Sequence, residues 1–357
     1  MSDDLIAVLE LSPIESHALK ETVTSVDDRR KLFLCYLAMR EKISCDYLPF
    51  INSAVPHIND HTRKHLRRVL TLIESILSRH FPADSVVRDI PADRLITWPD
   101  ALILINALVW HDMGNMYGRK GHAKRVHECF QAVSGYMYDE YLTTFIKQVA
   151  EAHSGEGAIE RIIPSQFSVG TYHQSEVHPQ FLAAVLRFAD ELDEDYRRAI
   201  PQEWRHLNII PRESHRYWYF CERNRSIHVR PIAGEHNLDL VVNIETHIPQ
   251  SEFDQQFLIE EGKAETTSAL AEYFRRIFKI EKERKYCNTF LRRAYYHPGI
   301  KGISVGLQTQ ETNAYLAANN VIRFELNDSF SPKDLLNRPD LSNIRSHIEA
   351  ALGDENA

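Results

Sequence analysis

The chain has 357 residues, 43% of them hydrophobic and 26% charged, a globular composition with length enough for one large or two ordinary domains. A formal net charge of −8 argues against bulk electrostatic attraction to nucleic acid or to an anionic membrane. Five scattered cysteines without CxxC spacing fit a reducing compartment and neither a disulfide framework nor a zinc ribbon. The start Met1-Ser2-Asp3-Asp4 carries no signal pattern, and the most apolar run is too short to span a bilayer, so a cytoplasmic protein is expected.

Residues 14–44 read as helical, followed by a loop at Asp46-Tyr47-Leu48-Pro49-Phe50. Asp60 is a candidate N-cap for a helix from His61 to about Ser78, with His65, Val69, Ile73 and Ile76 on its core-facing stripe. Pro82 and Pro91 mark a loop before the run Ala101–Trp110, which has almost no polar face and reads as a buried helix over 100–113. That run ends in His111-Asp112, with Gly114 as a stop signal. Gly114, Gly118 and Gly121 frame a loop with Arg119 and Lys120. Helices are then expected from His122 (Val126, Phe130 and Val133 on one face) and from Thr143 to His153. Residues 154–177 read as loop, and Pro179 opens a helix whose Leu182, Val185, Leu186, Ala189 and Asp190 share a face.

Beyond residue 200 the texture changes. Arg216–Cys221, Ser226–Arg230 and Leu238–Ile244 read as strands, followed by a long helix from Glu252 to Leu291 with a break near Gly262. Two more strands, Ile303–Leu307 and Val321–Leu326, precede a C-terminal helix after Ser342. The expected fold is mainly α: a helical bundle over 1–200 and a smaller α+β domain over 201–357, with the boundary near Ile200-Pro201.

A histidine and an aspartate at the end of a buried helix are costly to desolvate unless something pairs with them. His65, His111, Asp112 and Asp190 together make an N/O donor set suited to Fe, Mn, Ni, Co or Zn, and to Mg if waters complete the shell. His122 and His153 could hold a second ion with Asp112 reaching both, or else bind phosphate or cap helices. A single histidine on an amphipathic helix is more often a packed residue than a ligand, so the weight lies on the ordered set.

His65 with Arg68 and Val69, His111-Asp112 with Gly114, and Asp190 within Leu186-Arg187-Phe188-Ala189-Asp190-Glu191-Leu192-Asp193 resemble the HD superfamily of metal-dependent phosphohydrolases. The order H…HD…D is that superfamily's motif, carried on a helical bundle, and the resemblance covers roughly residues 45–200. Gly121-His122 and Ala152-His153 resemble the extra histidines of its two-metal members. The surrounding residues look most like a bacterial subgroup whose HD domain carries a C-terminal extension. Asn115 stands where deoxynucleotide triphosphohydrolases of the superfamily usually have a histidine, and the Gly-Tyr-Pro triplet of its cyclic-di-nucleotide phosphodiesterases is missing.

The resemblance implies hydrolysis of a phosphate ester or anhydride, of a nucleotide above all, with one or two divalent ions activating water. It names His65, His111, Asp112, His122, His153 and Asp190 as ligands. His61 or Lys120 could protonate the leaving oxygen, and Arg119, Lys120 and Arg125 could neutralise phosphate oxygens. Glu191, Asp193, Glu194 and Asp195 read as a solvated helix end paired with Arg197 and Arg198, with Glu191 or Asp193 as possible supports for a ligand imidazole. The run Tyr217–Phe220 reads as strand core, against a base-stacking platform. The alternative function is a nucleotide sensor that signals through its C-terminal domain to a partner or a second copy. Nuclease activity is weakened by the acidic charge, and a role in phage defence or stress signalling would suit such a phosphohydrolase.

Overall fold

The computed structural model describes residues 11–23, 27–54, 62–78, 80, 94–118, 121–132, 140–162, 171–172, 175–199, 212–232, 239–259, 263–310 and 321–353. It is mainly helical, with a helical N-terminal region and a small C-terminal sheet domain. Two compact units divide these residues, one drawn from 1–55, 61–190 and 289–297, the other from 191–288 and 298–357. Among the described residues, no helix is long and apolar enough to cross a membrane.

The first unit contains α1 (Pro13–Val23), α2 (Asp27–Lys42), α3 (Leu48–Ala54), α4 (Arg63–Ile76), α5 (Trp98–Trp110), α6 (His122–Ala132), α7 (Glu140–Glu151) and α8, which begins at Pro179 and ends at Leu192. Helix α5 is its axis. Every residue from Trp98 to Trp110 is buried, and α1, α2, α4 and α7 pack around it. Thr97 starts the helix with its hydroxyl accepting from Asp100 N, and Pro99 sits in the first turn, where its missing N–H costs nothing. Truncating Leu102 or Ile103, both fully buried, to alanine would cost about 2–5 kcal/mol each. Trp110 stacks on Phe130 of α6 with ring centroids 4.0 Å apart.

At its N-terminal end, α5 is tied to α8 by the buried carboxylate of Asp100. It accepts from His178 N at 3.0 Å, from His178 Nδ1 at 2.8 Å and from the Tyr295 hydroxyl at 2.6 Å. Tyr295 arrives on the returning segment 289–297. There Tyr295 and Tyr296 both hold left-handed backbone, φ 55° and 50°, and His297 donates from Nε2 to the Ile76 carbonyl at 3.1 Å.

The second unit carries a four-stranded sheet in the order β3 (Asn224–Pro231), β4 (Leu240–His247), β7 (Ile300–Gln308), β8 (Val321–Asn327). The outer pairs are antiparallel, and β4 and β7 are parallel. A parallel pair needs a crossover connection, and α10 (Ala269–Leu291) supplies it, with Phe274 against Phe324 of β8. In this unit Arg284, fully buried, donates to both oxygens of Glu281, to the Ile300 carbonyl and to Asp328. A short hairpin, β5 (Gln256–Leu258) with β6 (Thr266–Ser268), precedes α10. Another two-residue ladder, β1 (Thr171–Tyr172) with β2 (Ser175–Glu176), lies in the first unit.

Several expectations are corrected. Residues 216–221 belong to a helix, α9 (His215–Arg223), and not to a strand. Their aromatic residues favour strands by propensity, but the helical turn brings Tyr219 and Arg223 together onto Glu252. The same burial leaves no base-stacking platform at Trp218–Phe220. The helix expected from Glu252 starts only at Ala269, because Gln256–Leu258 and Thr266–Ser268 pair as strands; Ser268 then accepts from Ala271 N. The loop expected at 46–50 is helical, a π turn over Ile43–Tyr47 running into α3, where Pro49 falls in a first turn that tolerates it. Asp193, Glu194 and Asp195 are buried, not solvated. Asp195 pairs with Arg197, but Glu194 pairs with Arg276 of α10. The cap of α4 is Thr62, accepting from Lys64 N at 3.2 Å. Asp60, Pro82, Pro91 and Val133 lie outside the described residues.

Candidate metal centre

Five helices of the first unit deliver the expected ligands. His65 stands in the first turn of α4, His111 and Asp112 directly after α5, His122 at the start of α6, His153 just past α7 and Asp190 in the last turn of α8. Three of these helices, α5, α7 and α8, bring the partially negative end of their dipole to the cluster. His65, His111, Asp112 and His153 are buried; Asp190 is partly exposed.

Asp112 sits between two groups of donors. Its Oδ2 lies 3.1 Å from His111 Nε2 and 3.5 Å from His65 Nε2. Asp190 Oδ1 closes that group at 3.5 Å from His65 Nε2 and 3.7 Å from His111 Nε2. The other oxygen of Asp112, Oδ1, lies 3.5 Å from His122 Nε2 and 3.9 Å from His153 Nε2. In each group one ligand atom per residue lies within 4.8 Å of the others. Asp112 is thus the carboxylate common to both.

The histidine tautomers follow from the backbone. His111 Nδ1 donates to the Leu108 carbonyl at 2.7 Å, and His153 Nδ1 to that of Ala150 at 2.6 Å. A carbonyl can only accept, so in the neutral ring each Nε2 carries a lone pair aimed into the cluster. His111 Nε2 then faces His65 Nε2 at 3.4 Å, and His153 Nε2 faces His122 Nε2 at 3.0 Å. Nitrogen lone pairs at that distance need a proton or a cation between them. The donor set therefore fits a divalent metal, and the buried His/Asp cluster can hold one.

Titration behaviour agrees with the charges. Burial alone would lower His111, but Asp112 and Asp190 outweigh it and raise its pKa well above 6.5. Burial, with the neighbouring His111 charge, takes His153 down to about 4, so it stays neutral. Burial would raise Asp190, yet the hydrogen bond and charge of His111 hold its carboxyl far below the usual range.

Two residues that the sequence reading named only as a departure from a related pattern, Asn115, and as a helix stop and loop glycine, Gly114, act at the cluster itself. Asn115 is buried and donates from Nδ2 to Asp112 Oδ1 at 3.0 Å, orienting the shared carboxylate. Gly114 leaves room for the chain to double back: a Cβ there would overlap the His122 carbonyl oxygen. The short His-Asp-x-Gly-Asn string was the available signal for both.

A cavity of about 370 Å³ opens among residues on either side of His122 and His153, namely Gly121, Ala123, Ala152 and Ser154. Lys124, Arg161 and Gln148 also line it, and Gln148 Oε1 is buried without a donor among the described residues. Burial raises the carboxyl of Glu151 in the same wall. Arg125 is placed elsewhere, donating to the Tyr117 carbonyl at 3.0 Å with its guanidinium over the Tyr117 ring. His61, Arg119 and Lys120 lie outside the described residues. Glu191 pairs with Lys279 at 2.8 Å and Asp193 gives its carbonyl to Arg198.

Compared with known proteins, residues 55–276 match the family model HD-CE. No curated protein and no solved structure matches significantly.

Proposed function

Because the chain belongs to the HD-CE family, we propose that it is a metal-dependent phosphohydrolase that cleaves a phosphate ester or anhydride bond of a nucleotide. The observation that carries this reading is the divided carboxylate of Asp112, one oxygen toward His65, His111 and Asp190 and the other toward His122 and His153. Bound there, a divalent metal would supply Lewis acidity, activating water and neutralising charge on a phosphoryl group.

The chain's own residues prepare that chemistry. His111 and His153 are held by backbone carbonyls with Nε2 inward. Asn115 keeps Asp112 from rotating. Lys124 and Arg161, in the wall of the adjoining cavity, are the cations that would meet phosphate oxygens. Gln148, also in that wall, has a buried Oε1 without a donor among the described residues and would supply an acceptor for a substrate N–H on a small side-chain shift. The cavity volume, about 370 Å³, is at the small end of ligand pockets, roughly 300–1,000 Å³, and favours one nucleotide over a strand. We further propose that the second unit regulates this site or joins a partner or second copy.

The test is elemental analysis of the wild type and Asp112→Ala, followed by a nucleotide panel assayed with Mn, Mg, Co and Ni. One or two ions per chain and turnover, both lost in the variant, are expected. Bound metal without turnover of any nucleotide would favour the sensor reading. No metal in either protein would overturn the proposal.

A further inference from the structure

A second cavity, of about 310 Å³, lies in the first unit away from the donor cluster. Its walls come from α1, α2, α4 and α5. Helix α4 turns His65, Val69 and Ile73 to the protein interior, and lines this cavity with Arg63, Arg67 and Thr71. Helix α5 contributes Leu108 and Val109, immediately before His111. The cavity and the metal cluster therefore share two helices but no residues.

Its chemistry is that of an anion site with an apolar wall. Arg40, Arg63 and Arg67 line it together with Glu15 and Glu74, and Arg63 Nη1 also lies 3.8 Å from Glu41 Oε2 outside the cavity lining. Glu15 is buried and already satisfied: Oε1 accepts from the Tyr36 hydroxyl and from Arg40 Nη1 (2.5 Å), and Oε2 from Ser12 N (2.9 Å). Glu74 accepts from Ile14 N at 3.1 Å, and burial pushes its carboxyl toward the neutral form. Arg40 Nε is buried without an acceptor among the described residues. A buried guanidinium N–H without an acceptor is an unmet demand in the wall of this cavity. Leu66, Leu70, Leu108 and Val109 supply apolar lining, which a bare inorganic ion would leave unused.

We infer that this cavity is a second ligand site, for a small organic phosphate, separate from the His/Asp cluster. Guanidiniums are the side chains best shaped for phosphate oxygens, and the apolar wall takes the organic part. A ligand there would bear on the same two helices that carry His65 and His111-Asp112. The inference does not depend on the hydrolase reading.

Equilibrium dialysis of the full chain in EDTA tests it, with AMP, GMP, CMP, glucose 6-phosphate and inorganic phosphate as probes. Four proteins are compared: wild type, Asp112→Ala, the double variant Arg63→Ala/Arg67→Ala, and the cavity-filling Leu70→Trp. The wild type and Asp112→Ala should bind at least one organic phosphate equally. Both cavity variants should bind it weaker by roughly tenfold or more, a loss of about 1.4 kcal/mol or more. Should the arginine variant unfold at a lower temperature, Leu70→Trp decides. No saturable binding of any organic phosphate would overturn the inference, and so would binding that survives both cavity changes. Loss in Asp112→Ala would assign the ligand to the metal cluster, and equal binding of inorganic phosphate would remove the role of the apolar wall.

Discussion

Gly114, beside the candidate metal cluster, has little freedom to change. Its hydrogen stands where a methyl group would meet the backbone of His122, a contact no side-chain rotation can relieve. Gly114→Ala should therefore move His122 away from Asp112 and cost about 1–3 kcal/mol, as overpacking does. Calorimetry and metal content are the readouts, and a variant with wild-type melting and full metal loading would refute the argument. A second residue-scale prediction concerns His297, which burial, with the nearby His80 charge, holds down to about 3. Its unfolded value is near 6.5, so below that pH the unfolded chain binds a proton that the folded chain refuses. Stability then falls as pH drops. His297→Phe loses the bond to Ile76 and should be weaker at pH 7. Between pH 6.5 and 5, however, it should lose about 2 kcal/mol less than the wild type. Parallel stability–pH curves for the two proteins would rule this out. His111 and Asp112 were legible as candidates because His-Asp at the end of a wholly apolar run is anomalous in any sequence. Asn115 was legible only as a missing histidine, since nothing in a sequence says that its amide turns back to Asp112.

Among the elements, α5 and α8 carry three of the four residues of the first donor group, and both are anchored at their far ends by Asp100. Tyr295→Phe removes one of the three hydrogen bonds to that buried carboxylate. A bond to a charged group contributes about 1.5–3 kcal/mol, so the urea midpoint should fall accordingly. An unchanged midpoint would mean that water replaces the phenol. The left-handed backbone of Tyr295 and Tyr296 is uncommon for aromatic residues, and burial of Tyr295 with its bond to Asp100 is what holds it. Helices with one strong apolar stripe were readable in the sequence, α4 and α8 among them. Helix α9 was not, because Tyr217, Trp218, Tyr219 and Phe220 form a continuous aromatic run of strand-like composition. Its helical state is decided by what surrounds it, including Arg276 of α10 over the Tyr217 ring at 4.3 Å.

For the whole molecule, a metal that binds only the folded chain must stabilise it by mass action. Adding Mn to chelator-stripped protein at about 100 times the dissociation constant should raise stability by roughly 2.7 kcal/mol, and Asp112→Ala should abolish the rise. An equal rise in the variant would place the ion elsewhere. The sequence by itself determined the mainly helical class, the buried axis at 101–110 and the order of the donor residues, because hydrophobic periodicity and ligand type are local properties of a chain. Only the tertiary structure decided the rest. It divided the Asp112 carboxylate between two donor groups, brought residues 289–297 back onto Asp100, and opened a guanidinium-lined cavity behind α4 and α5. Each of these depends on distances between residues far apart in the chain, which packing sets and spacing along a sequence does not record.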